Sequence, residues 1–522
     1  MRTRTSRLLH LMLAFALVLG MSGGIPALAL AADGSAETTP AVSTETTGSA
    51  SQEATPAVVQ PKVGNVCKIG ATEYATLGDA LAAVADGDTI TLLDNIDYGS
   101  EIDIGGITVT FDMNGFDLNV DTGVSTYSGL NVYGGGEVKM TGVGDFNVAG
   151  GRAGVSTDGG KATVTSATAY GAGFGRASAV AAQGSGDVIV VTGDATNNND
   201  LGFGVIAASG STVTVGGNVS SIELGIKAQD ASTVTVGGAV TSEGAGVLAQ
   251  SGSEVTVNGD VTAADGYGVY ARGGAQVKVA GNLSSTNGGD TAINAEDDGT
   301  VVLVGGSVTT DGDVHVSNGA SSVEIDGNVT MNGGGSCVSV SYGATLHIKG
   351  NVASTALDTD DYFAAFCVGG DGDAVLLIDG SLTSNKNALI VADSATATIG
   401  GNVNAGLIGV YAEDGGEATI NGKITAPTYI VIQDVEYTAA DFTLPTTKDG
   451  YKTYTDGVST VWVKIPVVDQ PPLVLPTTPT PKEGLPAAGD SSNLNLALAA
   501  GAAALAAAAG SCFVLVLRKR RS

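Results

Sequence analysis

The densest run of chemically useful side chains in this sequence is acidic. Asp358, Asp360 and Asp361 fall close together, and Asp371 and Asp373 follow. Paired carboxylates can divide acid and base roles or share a Ca²⁺ ion. Either task calls for basic or metal-binding neighbours, and these are scarce. Arg152, Arg176 and Arg272 are the only arginines between the two ends, and no two fall in register with the repeat described below. His315 and His347 are the only histidines beyond the first 32 residues. His347 alternates with Leu346 and Ile348 and so points outward, whereas His315 lies between Val314 and Val316 and can face either way. No nucleophile triad and no zinc spacing can be assembled from them. The acidic run therefore reads as a solvated loop, with Asp358, Asp360 and Asp361 as the candidates for metal or acid–base chemistry. No cofactor and no catalytic residue is expected.

The elements that would position these groups follow from a repeat. From about residue 100 to 427 the unit Val-x-Val-x-Gly-x-Val recurs, as in Val213, Val215, Gly217 and Val219. The anchoring glycines are Gly217, Gly238, Gly259, Gly281, Gly306, Gly327, Gly350, Gly380, Gly401 and Gly422, with weaker rungs at Gly142, Ser166 and Gly193. Their common spacing is 21 residues, stretching to 30 between Gly350 and Gly380. Two residues before each anchor stands Val or Ile, and two after it Val, Leu or Ile. A third apolar burst comes ten to twelve residues before it, as in Val205 with Ala207 and Ile226 with Ala228. Within each burst the alternation has period two, so each is a strand with one buried face.

Three short strands per 21 residues, stacked in register, describe an all-β fold, a right-handed parallel β-helix. Coils about 4.8 Å apart would carry ten rungs over roughly 48 Å. A sandwich does not keep one such period, and a propeller blade needs about 40 residues. The glycines are read as corner residues with positive φ. The excess between Gly350 and Gly380 is placed as a loop near Thr355–Tyr362. Cys337 and Cys367 each precede their anchors by 13 residues. They are therefore expected to stack on neighbouring coils, close enough for a disulfide or as two small residues at a tolerant position.

Residues 64–98 read as an N-terminal cap over the first coil. Thr76 caps a helix with Asp79 three residues on, and Asp86-Gly87-Asp88 ends it before a strand at Thr89. Residues 428–469 are enriched in aromatics, including Trp462, the only tryptophan, and read as a C-terminal β cap. Outside these lie two segments without periodicity. Residues 32–63 are rich in Ala, Thr, Ser, Glu and Pro and read as a disordered linker. Residues 470–484 are rich in proline and read as an extended spacer reaching some 45 Å.

The whole sequence has 53 acidic against 23 basic residues, a net charge of −30. Such a surface repels nucleic acid and anionic lipid. Residues 1–31 have a basic start (Arg2, Arg4, Arg7), an apolar run from Leu8 to Leu19 and small-x-small sites ending at Ala29 and Ala31, the pattern of a signal peptide. At the other end Leu494–Leu517 is an uncharged stretch long enough for a transmembrane helix, followed by Arg518, Lys519, Arg520 and Arg521.

Just before that stretch stands Leu485-Pro486-Ala487-Ala488-Gly489. A short motif, an apolar span and a basic tail in this order, over residues 485–522, resemble the Leu-Pro-x-Thr-Gly sorting signal of Gram-positive cell-wall-anchored surface proteins. Leu485, Pro486 and Gly489 match, and Ala488 stands where that family has Thr. The resemblance implies signal peptidase and sortase as processing partners. It also implies cleavage before Gly489 and a covalent bond from Ala488 to peptidoglycan, placing the chain on the extracellular face of the wall by way of a membrane intermediate. The repeat region resembles β-helical surface adhesins, which implies a non-catalytic adhesin or structural rod with a host or glycan ligand. The alternative is a wall-bound polysaccharide lyase or hydrolase of the pectate-lyase-like kind.

Overall fold

The computed structural model describes residues 64–171, 176–286, 291–333, 336–355, 363–370 and 372–466. One coil shows how the sequence builds the rest. Its strands are Thr212–Val215, Val219–Ser221 and Leu224–Ala228. Val213, Val215, Val219, Ile226 and Ala228 are fully buried, while Thr214, Ser220 and Lys227 between them face outward. Each strand pairs in parallel with its counterpart one coil away, so that Val213 stacks on Val234 and Val234 on Val255. Repeating this, together with the strands that close the two ends, gives three sheets of 19, 15 and 16 strands among the described residues, around one apolar core. The fold is a right-handed parallel β-solenoid, with the repeat in the register the spacing implied.

The anchoring glycines do turn a corner, but not by positive φ: none of the ten lies in the left-handed region. They are required by close approach. A Cβ on Gly259 would stand 2.7 Å from the carbonyl of Gly238. The glycines instead bond to one another, Gly238 N–H to Gly217 O at 2.8 Å and Gly259 N–H to Gly238 O at 2.9 Å. The ladder begins at Thr165, which accepts from Gly193, rather than at Ser166. Positive φ belongs to the corner between the third and first sheets. There Asp230 and Ala231 lie at 56° and 58°, and Ser251 and Gly252 at 56° and 70°.

A second ladder runs beside the glycines. The residue after each anchor is usually Asn, Asp or Ser, and its side chain accepts the backbone N–H of the equivalent residue one coil on. Asn282 Oδ1 takes the Ser307 N–H at 2.9 Å, Ser307 Oγ the Asn328 N–H at 3.1 Å, and Asn328 Oδ1 the Asn351 N–H at 2.8 Å. Backbone donors at this corner would otherwise lack a partner.

Both ends of the stack are closed by antiparallel pairing. At the N-terminus Cys67–Ile69 pairs with Thr72–Tyr74 and with Thr89–Leu92, and the helix Leu77–Ala83 packs alongside. Thr76 caps that helix by accepting the Asp79 N–H at 3.1 Å. Thr89–Leu92 and Ile96–Tyr98 already pair in parallel with the next coil, so the solenoid begins inside the stretch read as a cap. At the C-terminus Thr428–Ile432 continues the third sheet and pairs antiparallel with Val435–Tyr437. Thr460–Lys464, which carries Trp462, extends the first sheet and pairs antiparallel with Tyr451–Thr455. Reversing the chain at each end hides the edge that stacked parallel strands would leave open.

Two expectations change. Cys67, Cys337 and Cys367 are all free and buried. Cys337 lies beside Ala364, whose carbonyl it bonds at 3.0 Å, while Cys367 pairs with Val340. The reason is an insertion in the corner between Phe363–Val368 and Val375–Ile378, three residues longer than its counterpart between Val338–Ser341 and Thr345–Ile348. Counting back from Gly380 therefore places Cys367 three positions from the residue opposite Cys337. The excess expected as one loop near Thr355–Tyr362 is thus shared between two corners.

The span expected at Leu494–Leu517, the sorting motif Leu485–Gly489 and the signal peptide lie outside the described residues. Among the described residues no helix is long and apolar enough to cross a membrane.

One core position breaks the pattern. Thr157 is aligned with Val132 and Ala182, and its buried Oγ1 has no hydrogen-bond partner. An orphaned buried hydroxyl costs about 1–3 kcal/mol. Thr157→Val, which keeps the shape and removes the hydroxyl, is therefore expected to stabilise this coil by about 1–2 kcal/mol. The expected readout is slower hydrogen exchange at the amides of residues 153–158.

Candidate functional surfaces

Outward-facing side chains of the third sheet form one column across successive coils. In order it reads Asn131, Ser156, Ala181, Ile206, Lys227, Leu248. It continues with Tyr270, Asn294, His315, Ser339, Phe366 and Ile390. Two clusters of functional groups stand on this face.

The first is a groove of about 110 Å³ over the early coils, where the column is small. Arg152 and Arg176 flank one side, and Asp158 and Gln183 the other. Arg152 is exposed and makes no ion pair among the described residues. Burial holds the nearby Glu101 carboxyl above its ordinary range, against the opposing effects of the Ser128 N–H and Arg152. Arg176 is fixed differently: it pairs with Glu223 at 3.1 Å and lies 5.1 Å over the Phe203 ring. The two arginines are not in strict register, since Ala153 pairs with Ser178, yet both border the same depression. Sequence spacing alone did not bring them together, because the coils here depart from 21 residues. The available signal was the drop to small residues at Ser156 and Ala181.

The second cluster lies several coils on. Ser339 donates to Asp313 at 3.1 Å and stands 2.7 Å from His315 Nδ1. Burial pushes the Asp313 carboxyl up, with the His315 ring, Thr291 and Ser339 opposing it. The grouping contains serine, histidine and aspartate, but in an order unsuited to nucleophilic attack. A serine nucleophile hands its proton to histidine, whereas here that proton is directed at the carboxylate. Ser339 is also only 3% exposed. His315, left open between two orientations, faces outward into this cluster. His347 faces outward as expected and meets Asp379 at 3.1 Å.

Of the acidic candidates, Asp358, Asp360, Asp361 and Asp371 lie outside the described residues, while Asp373 is exposed. Among the described residues no group of three or more His, Cys, Asp or Glu side chains is arranged to hold a metal ion. The buried thiols are poorly suited to chemistry: burial raises Cys67 to about 11 and Cys367 to about 12. No protein family, curated protein or solved structure matches the chain.

Proposed function

We propose that the chain is exported, held at the outside of a cell wall by its C-terminus, and acts there as a non-catalytic adhesive rod. The observation that carries the reading is the solenoid itself. Like residues stack coil upon coil, both ends are closed, and the third sheet presents a continuous outward column. That is a stiff scaffold with a long binding face. A fold of this kind hosts binders and enzymes alike, so the choice rests on the side chains. The serine, histidine and aspartate of the third sheet are bonded to one another in an order that favours structure over attack. Tethering would be by Leu485-Pro486-Ala487-Ala488-Gly489, and many copies on one cell would turn weak contacts into avidity.

Mass spectrometry of digested wall peptides tests the tether. A peptide ending at Ala488 and joined to peptidoglycan is the expected product, and Pro486→Ala is expected to remove it. A mature chain that still carries residues 490–522 would overturn wall linkage. A glycan and host-protein array probed with the full chain tests adhesion, and an empty array would overturn it.

A further inference from the structure

We infer that the Arg152–Arg176 groove is a binding site for the carboxylate-bearing end of a glycan; this deepens the adhesive reading and rests on it. Three observations converge. First, the groove lies where Ser156 and Ala181 are small and the following coils carry Ile206 and Lys227. A depression is therefore built into an otherwise filled face.

Second, the charges are unusual for this chain. In a protein of net charge −30, two of the three arginines between its ends border one depression. Arg176 is already positioned by Glu223 and Phe203, so little side-chain freedom is lost when it receives a ligand. Arg152 is exposed, and the acidic group beside it is Glu101, whose carboxyl burial holds above its ordinary range. A planar guanidinium matches a carboxylate with two parallel hydrogen bonds.

Third, the opposite side offers a different chemistry. Asp158 and Gln183 are exposed and aligned, since Thr157 pairs with Ala182 beside them. An acceptor and an amide suit sugar hydroxyls. Arg152 and Asp158 lie six residues apart on one extended segment, about 20 Å. The depression of about 110 Å³ admits the acid group and part of one ring, and the rest of the sugar would lie over the strand toward Asp158 and Gln183. The overall charge also selects against a long polyanion, whose remaining carboxylates would meet an acidic surface. A single acid is shielded from distant charges beyond about 8 Å at physiological salt.

The test uses the full chain and two disaccharides that differ only in the acid: cellobiouronic acid and cellobiose, titrated by saturation-transfer NMR. The acid is expected to bind at least about tenfold more tightly than the neutral sugar, and more weakly as salt rises. The double variant Arg152→Gln with Arg176→Gln should lose that preference. Arg152→Lys should keep part of it, and Arg272→Gln, elsewhere on the face, should leave it intact. Unchanged melting of each variant shows that the fold is preserved. Equal binding of both sugars, no binding of the acid, or undiminished binding by the double variant would overturn the assignment. If the array reveals another ligand whose binding survives the double variant, the groove assignment fails while adhesion stands. If the acid binds but no wall peptide ends at Ala488, wall linkage fails and the groove assignment stands.

Discussion

Gly259→Ala is expected to destabilise its coil by roughly 3 kcal/mol, the upper end of overpacking penalties. Gly252→Ala, seven residues away, should cost only about 1–2 kcal/mol. The two glycines are needed for different reasons. Gly252 has φ of +70° with open space around its Cβ position, so alanine there suffers backbone strain alone. Gly259 has ordinary φ, but its Cβ would stand 2.7 Å from the Gly238 carbonyl and 2.8 Å from the Ala239 nitrogen. Those atoms are backbone and belong to two ladders, so they cannot yield without breaking neighbouring bonds. The Gly281 amide donates to the Gly259 carbonyl at 3.2 Å, and its hydrogen exchange reads the damage directly. Equal losses for the two variants would show that small backbone shifts relieve the close approach at the anchors. The outcome matters for the surface as well, because coil spacing sets where outward side chains fall.

The solenoid was legible because its signal is redundant. Ten coils repeat the same apolar positions, so a few substitutions such as Ala397 or Ala418 do not hide the period. What repetition could not reveal was the cause behind a conserved spacing within the chain. Gly217 and its successors look like turn residues, yet the left-handed backbone lies at Asp230–Ala231 and its equivalents, where residue type varies. The polar ladder at Asn282, Ser307 and Asn328 was equally visible but chemically mixed, and only its shared acceptor role unites it. Counting from one anchor failed at Cys367 because an insertion had been added on the near side of that strand. The candidate groove was the least legible of all. It depends on which side chains are absent from a column, and on two arginines whose coils do not share the common period.

Phe146→Ala is expected to cost about 3–5 kcal/mol, as for other fully buried aromatic side chains. Phe146 is wholly buried in the second sheet and meets Phe111 of the first at 5.1 Å between ring centres. The early coils are wide and irregular: Val109 pairs with Val138, and Val138 with Ala162, at separations unlike the later 21. Aliphatic side chains, mostly valine, alanine, isoleucine and leucine, fill the later interior, but here two phenylalanine rings span it. Their removal leaves a void that neighbouring coils, fixed by hydrogen bonds on both sides, can close only in part. Because each coil touches only its neighbours, the loss should stay local. Amide exchange is expected to quicken across residues 109–148 and to remain unchanged across 234–257. The adjoining groove at Ser156 should lose its shape, so the same variant should weaken acid-sugar binding without altering any groove residue. Uniformly faster exchange along the whole solenoid would instead mean that the coils unfold as one cooperative unit. In that case a cavity beneath the early coils would weaken the entire scaffold, and the groove could not be perturbed independently of the remaining binding face.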